Sequence, residues 1–419
     1  MTDWQAIRAW LIDHQSEMES DLESLCNRNS GSASLAGLEQ TADWLCEYFR
    51  PVSSACRRIS LPAFETIDDQ GQKIVNKTSS ALRWDVDSSL GAVAPRLLMT
   101  IHYDTVYGPD SPFQRCVRFE KPGANGEAER CMRGPGVIDA KGGIVVMRWA
   151  LLAAHKYLDL SKLGITVLLT PDEEIGSPAT SRLWPEIANE HAFAMLFEPT
   201  MADGSMVSHR KGTGTFTILV RGQAAHSGRN FHAGRNALVH ASKVAIALDQ
   251  LNGLQENVTI NVGRIRSGDA VNVVPDLAVM RVNVRVNDKA DEEWVVAQVQ
   301  RVVYEFNLPA RGFRTELQGG LGSPPKPADA SVLRWMKVAE SAAERVGQSL
   351  RWGLSGGASD GNKLSALGLP NIDTFGPEGD LLHSDQEWIR LSSLSRKAVL
   401  TASMIDAISQ SIAAQSIAD

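Results

Sequence analysis

Side chains able to bind metal or move protons stand directly after apolar runs at several places in this sequence. His102 and Asp104 follow "RLLMT", Asp139 lies in "GPGVIDAKGG", and Asp172, Glu173 and Glu174 follow "ITVLLTP". Glu198 follows "FAMLF", and His383 lies in "GPEGDLLHSD" beyond the short run "LPNIDTFG". Taken singly, each has an ordinary reading: a surface His-x-Asp pair, a solvated Glu-Glu turn, a helix N-cap at Asp139, punctuation at the end of a strand. Three carboxylates in succession repel one another, so a metal, a basic ligand or solvent has to answer their charge. In open α/β sheets the ligand site lies at the carboxyl ends of the strands, and placement after successive runs favours a site.

Two histidines and three carboxylates form a donor set suited to zinc and tolerant of manganese or cobalt. One carboxylate shared between two ions would let five ligands hold a pair about 3.5 to 4 Å apart, the spacing of two-metal hydrolases. Asp104, two residues after His102, is placed to accept a bond from the imidazole and fix its tautomer.

The elements that must carry these residues read as follows. Helical periodicity runs through the first fifty residues to Pro51. "PRLLMTIHYD", "GITVLLTP" and "FAMLFEPT" then alternate with the helical "KGGIVVMRWALLAAHKYL" and "TSRLWPEIANEH". Strands apolar on both faces and separated by helices indicate a mostly parallel sheet flanked by helices, an α/β domain. From about His209 the pattern becomes strand-helix-strand-strand-helix-strand, "GTGTFTILVRG" to "ADEEWVVAQVQRVVYEF" and beyond, an α+β ferredoxin-like module with one sheet face open. "GGLGSPPKPAD" reads as a linker, after which α/β character returns. The expected division is 1–208 and 323–419 for the α/β domain, with 209–322 inserted.

A chain of 419 residues exceeds what one hydrophobic core usually serves. Its net charge of -7, with no Lys/Arg run, gives no reason to propose nucleic acid. The N-terminus carries acids throughout and has no basic region leading into an apolar core, so it reads as an amphipathic helix and not a signal peptide. The most apolar window, "GGIVVMRWALLAA", is interrupted by Arg148, which makes it a packed helix and not a membrane span. The five cysteines show no CxxC spacing and are expected as free thiols in a reducing cytoplasm.

In this order, "HYDTV", "GPGVIDAKGG", "TPDEEIGS", "FEPT", "GQAAHSG" and "HSDQEW" resemble the di-zinc metallopeptidase and amidohydrolase family that contains bacterial glutamate carboxypeptidase, aminoacylase, acetylornithine deacetylase and succinyl-diaminopimelate desuccinylase. "HAGRNALVHAS" and "AVNVVPD" bring it nearest to the glutamate carboxypeptidases. The resemblance implies that Glu173 is the general base and that Asp139 bridges two zinc ions. One ion would take His102 and Glu198 as its other ligands, the other Glu174 and His383. It also implies that the Asp139-Ala140 peptide is cis, and that residues 209–322 mediate a homodimer in which His226 reaches the partner's site to steady the oxyanion. Asn272, Arg285 and Gly357, the last within the Gly-rich "GLSGGASDGN", would contact substrate. Read on their own, Arg285 is equally an exposed-face strand residue, and the Gly-rich stretch, following no clear strand, has a flexible turn as its ordinary alternative.

The segment between His102 and Asp139 is longer than the resemblance leads one to expect, and "KPGANGEAERC" within it reads as an inserted surface loop. The function implied is hydrolysis of an amide bond beside a C-terminal carboxylate. An N-acyl amino acid deacylase is the alternative enzyme, and a catalytically retired binding protein the alternative of another class. A cofactor-dependent oxidoreductase lacks its GxGxxG.

Overall fold

The computed structural model describes residues 2–89, 91, 95–123 and 126–415. Its central six-stranded sheet runs, in order, Arg57–Ile59, Ala81–Val86, Gly164–Thr170, Arg96–His102, Phe193–Leu196 and Asn371–Ile372. The last four are parallel, Ala81–Val86 runs antiparallel to them, and Arg57–Ile59 pairs antiparallel with Ala81–Val86. Gly164–Thr170 is buried at every position, and Arg96–His102 at all but its first. This continuous burial explains why both read as unbroken apolar runs. The long helices Lys141–Tyr157, Ala330–Arg345 and Ser393–Gln415 contribute to one core, while Trp184–Glu190 and Asp360–Ala366 pack into a second core that includes Leu98, Leu168 and Leu196.

Parallel register brings the chemistry to one edge. His102 pairs with Thr170, and Thr100 with Leu196, so His102, the Glu173 turn and Glu198 all emerge at the carboxyl end of the sheet. The helix Lys141–Tyr157 starts two residues after Asp139, with Ala140 as its N-cap, and packs close against this edge. A Cβ on Gly143 would sit 2.0 Å from the Phe197 carbonyl oxygen, so no larger residue fits there. Arg148 lies on this helix with its Nε donating to the Tyr48 carbonyl at 2.7 Å, an interior role that matches the reading of a packed helix. Among the described residues, no helix is long and apolar enough to cross a membrane.

The inserted unit is a four-stranded antiparallel sheet in the order Thr259–Ser267, Leu277–Val286, Gly212–Arg221, Arg314–Ser323, with helices Ala237–Asp249 and Lys289–Glu305 packed against it. Leu277–Val286 alternates in burial along most of its length, the signature of a sheet with two different faces.

Several expectations need correcting. The second face of this sheet is partly covered: the hairpin Phe64–Ile67/Lys73–Asn76 lies against it, packing Ile67 among Leu219, Leu277 and Val279. Arg221 Nη2 also donates to the Gly71 carbonyl at 3.1 Å. "GGLGS" is the end of strand Arg314–Ser323 and not linker. Of the stretch expected as an inserted loop, residues 121–122 and 128–131 belong to the hairpin Val117–Pro122/Ala128–Arg133, paired onward to Trp388–Arg390, and residues 124–125 lie outside the described residues. The first strand of the hairpin is exposed at five of six positions, so it carries no apolar alternation to reveal it. The Gly-rich segment does follow a strand, Trp352–Ser355, parallel to Met206–Arg210. The N-terminal helix is two helices, Trp4–Asp13 and Gln15–Cys26. Finally, Cys46 and Cys56 form a disulfide, leaving Cys26, Cys116 and Cys131 as free thiols. The expectation of five free thiols, and the support it lent to a reducing compartment, is reduced accordingly.

Candidate metal centre

His102, Asp139 and Glu174 each offer a ligand atom, all within 4.8 Å of one another. His102 Nε2 lies 3.0 Å from Asp139 Oδ1 and 4.0 Å from Glu198 Oε2. His383 Nε2 is 3.2 Å from both Asp139 Oδ2 and Glu174 Oε2. The two oxygens of Asp139 therefore face different partners, one toward His102 and Glu198, the other toward Glu174 and His383. Leu381 and His383 both adopt positive φ, 63° and 61°. A non-glycine residue rarely accepts that region, and here it belongs to the tight loop that carries His383 to Asp139. The Asp139-Ala140 peptide is cis.

Asp104 does more than orient one ring. Its Oδ1 lies 3.2 Å from His102 Nδ1, with its carbonyl oxygen at 3.1 Å. This holds the Nδ1 proton there and leaves Nε2 facing the carboxylates. The same carboxylate accepts the amides of Glu173 at 3.1 Å and Glu174 at 3.2 Å, and the Ser32 hydroxyl at 2.6 Å. One buried side chain thus joins the ends of two parallel strands.

The crowding of acids is visible in the proton affinities. Burial pushes Glu174 up to about 7, with Asp139 adding to the effect, and burial pushes Glu198 up to about 8. Glu173 is raised well above the ordinary carboxylate range, again mainly by burial. Burial would raise Asp139 too, but hydrogen bonds from His102 and His383 outweigh it and hold the group low. Hydrogen bonds to Asp139 and then Glu174 drive His383 up to about 11. The five side chains hold a surplus of negative charge that a cation would answer, and their N and O donors match zinc or another borderline divalent ion. The residues therefore fit a metal site.

Asp172, the first of the three consecutive acids, is turned away. It accepts the amides of Ala179 at 2.8 Å and Thr180 at 3.1 Å, plus the Thr180 hydroxyl, and so caps the next turn. His226 and Asn272 sit together on an exposed tip of the inserted unit, where Ser227 N–H donates to the Asn272 carbonyl at 3.0 Å and His226 pairs with Val273. Among the described residues, neither shares a hydrogen bond or ion pair with the cluster of its own chain. Arg285 donates from Nη1 to the Gly356 carbonyl at 3.3 Å, and Gly357 offers its carbonyl to Arg210 Nη1 at 3.1 Å. These three substrate candidates are therefore not gathered around the cluster by direct bonds.

Sequence reasoning missed Glu387. It is fully buried, accepts the Tyr107 hydroxyl at 2.6 Å and the Ile138 amide at 3.1 Å, and lies 3.4 Å from the Asp139 amide. It ties the loop carrying Asp139 to the loop carrying His383. The available signal was its place in "HSDQEW", four residues after His383. Arg210, Lys326 and Asp373 were also missed, and form a buried ionic junction beside the site.

The pattern of peptidase family M20/M25/M40 matches residues 98–407. The chain is 26% identical over 403 residues to carboxypeptidase G2 of Pseudomonas sp. (strain RS-16), covering 94% of this chain and 89% of that protein. Among solved structures, the Saccharomyces cerevisiae di-peptidase Dug1p superposes with TM-score 0.72 at 12% identity, over 98% of this chain and 99% of that one. The Bacillus subtilis YXEP protein, a dinuclear metal binding peptidase, superposes with TM-score 0.61 at 14% identity, over 97% and 99%.

Proposed function

Because the chain belongs to peptidase family M20/M25/M40 and is a hydrolase of peptide or other amide bonds, we propose that it removes a C-terminal amino acid from its substrate, cleaving the amide beside the carboxylate. The observation that carries this reading is the convergence of His102, Asp139, Glu174, Glu198 and His383 around the two oxygens of one carboxylate, with Glu173 on the adjoining turn. Similarity to carboxypeptidase G2 over nearly the whole chain supports the carboxypeptidase form of it.

In this reading His102, Asp139, Glu174, Glu198 and His383 would hold two zinc ions, manganese or cobalt being workable substitutes. Such a metal pair would supply Lewis acidity and lower the pKa of a bound water to about 7. Glu173, which is not among those ligands, would take a proton from the attacking water and return it to the leaving amine, the general acid-base role of a buried carboxyl with raised proton affinity. Asp104 keeps Glu173 aimed by accepting its backbone amide.

The unit 209–322 is proposed as a dimerisation domain. On the exposed tip that carries His226 and Asn272, Val271 is fully exposed and Phe231 is 54% exposed. Exposed side chains of that kind suit donation to a partner's site, where His226 would steady the oxyanion. Arg285 and Gly357 line the substrate's carboxylate end.

The experiment is free-amine release from a panel of N-acyl and N-peptidyl amino acids with acidic and neutral C-termini, in zinc, with Glu173→Ala as control. Release by the unmutated protein alone, fastest on peptidyl substrates, is expected. Preference for small N-acyl groups would make it a deacylase instead, and silence across the panel with metal bound would overturn the hydrolytic assignment of this site.

A further inference from the structure

The chain crosses between the central sheet and the inserted sheet at Arg210 on the way out and at Lys326 on the way back. The two crossings are paired: each amide donates to the other residue's carbonyl at 3.0 Å. Their side chains then close on a single carboxylate. Arg210 donates from Nε to Asp373 Oδ2 at 2.7 Å and from Nη2 to Oδ1 at 3.3 Å, and Lys326 Nζ donates to Oδ2 at 2.8 Å. Asp373 is 0% exposed, Lys326 1% and Arg210 8%.

This junction touches the site on two sides. The Asp373 carbonyl accepts the amide of Glu198 at 3.1 Å, just beyond the edge strand Asn371–Ile372. The third nitrogen of Arg210, Nη1, donates to the Gly357 carbonyl, and Arg285 of the inserted sheet donates to the neighbouring Gly356 carbonyl. One turn of the Gly-rich loop is therefore gripped from the crossing by Arg210 and from the inserted unit by Arg285.

Two cations and one carboxylate, all buried, are a poor way to gain stability, because desolvation consumes most of the attraction and apolar replacements are often neutral or better. A guanidinium adds direction instead: its planar fork binds a carboxylate in one orientation and still has a donor left for a third group. We infer that Arg210 is a positioning residue: through Asp373 it fixes the angle of the inserted unit over the carboxylate-histidine cluster, and through Gly357 it fixes the register of the substrate loop. The loop half of this inference rests on the proposed function; the angle half does not.

The test compares zinc-loaded wild type with Arg210→Met, Arg210→Lys and Lys326→Met, reading zinc content, solution X-ray scattering and steady-state kinetics on the best substrate of the panel. Arg210→Met is expected to keep its zinc, to change the scattering profile, and to raise KM at least about tenfold with a smaller change in kcat, the pattern of a lost binding contact shared by ground and transition states. Arg210→Lys keeps the charge without the fork and should recover only part of KM. Lys326→Met leaves both the Arg210–Asp373 fork and the Gly357 bond, and should shift KM less than about threefold. An Arg210→Met protein that is merely less stable, with wild-type KM and scattering, overturns the inference, and so does full recovery by lysine. If Arg210→Met does not fold, the lysine variant decides by the same readouts. If wild type turns over nothing on the panel, the proposed function fails while the scattering arm still judges the angle.

Discussion

Two buried ionic groups lie close together in this molecule and differ in how their charge is answered. At the junction, Asp373 is met by Arg210 and Lys326, which outweigh its burial and hold its carboxyl far below the ordinary range. At the carboxyl end of the sheet, Glu173, Glu174 and Glu198 are all raised, and the neighbouring histidines are pushed up to share protons with the acids. The first group has more cation than its one carboxylate answers, and Arg210 is drawn also by Glu198 and Glu173. The second carries more acid than the chain answers, which is expected of a site that binds a cation. Burial alone does not distinguish them; the balance of partners does.

The sharpest test acts on the open group without removing a ligand. Glu173→Gln preserves shape and removes only the proton-accepting charge. Turnover should fall about 100- to 10,000-fold while zinc content, measured by mass spectrometry, stays at the wild-type ratio. If metal and turnover vanish together, Glu173 is a ligand and the division of labour between Glu173 and Glu174 is wrong.

A third buried group stands between these cases. Lys397 is 4% exposed, and burial pushes its ammonium down to about 8 although Glu378 pulls the other way. An unfolded lysine keeps its proton to about pH 10.4. Between pH 8 and that value the unfolded chain binds more protons, so stability should rise with pH across this window. The shift corresponds to about 3 kcal/mol. Lys397→Met should be more stable than wild type at pH 7 by up to that amount, and the difference between the two proteins should shrink as pH rises toward 10. Denaturant titrations at several pH values check this; a constant difference would show that Lys397 keeps the proton affinity of an unfolded lysine in the fold.

How much of this was legible in the sequence follows from the same physics. His102, Glu174 and Glu198 stood out because parallel strands buried on both faces leave uninterrupted apolar runs with these side chains at their ends, whereas Asp139 and His383 lie on loops outside those strands and were marked by the motifs of the resemblance. The Arg210–Asp373–Lys326 junction could not, because its members come from three distant segments and none interrupts a pattern. Glu387 was hidden for a related reason: its partners are the Tyr107 hydroxyl and the backbone amides of Ile138 and Asp139, and backbone donors leave no mark in composition. The hairpin Val117–Pro122/Ala128–Arg133 was read as a loop because exposed strands need not alternate. The Cys46–Cys56 disulfide joins two of five cysteines whose spacing named no pair.

Asp104 gives a finer probe of the open group, since it binds no metal in the proposed scheme yet orders the residues that do. Asp104→Asn keeps an acceptor for His102 or for the Glu173 and Glu174 amides, but loses the charge that polarises the imidazole. Zinc affinity, measured by competition with a chelator, should weaken about 10- to 100-fold, with the fold retained by circular dichroism. Unchanged affinity would confine Asp104 to backbone organisation.

The smallest effect is expected where ions are paired but not buried. Arg50 and Glu47 lie 3.0 Å apart, as close as partners in either buried group, with side chains 68% and 70% exposed. Water screens such a pair, and holding two long side chains together costs entropy that offsets the attraction. Glu47→Gln should therefore change unfolding stability by no more than about 0.5 kcal/mol, and less still in high salt. A loss above about 1 kcal/mol by chemical denaturation would mean that distance, and not the balance of burial against partners, governs ion pairs in this protein. The contrast between the junction and the metal centre would then need another explanation.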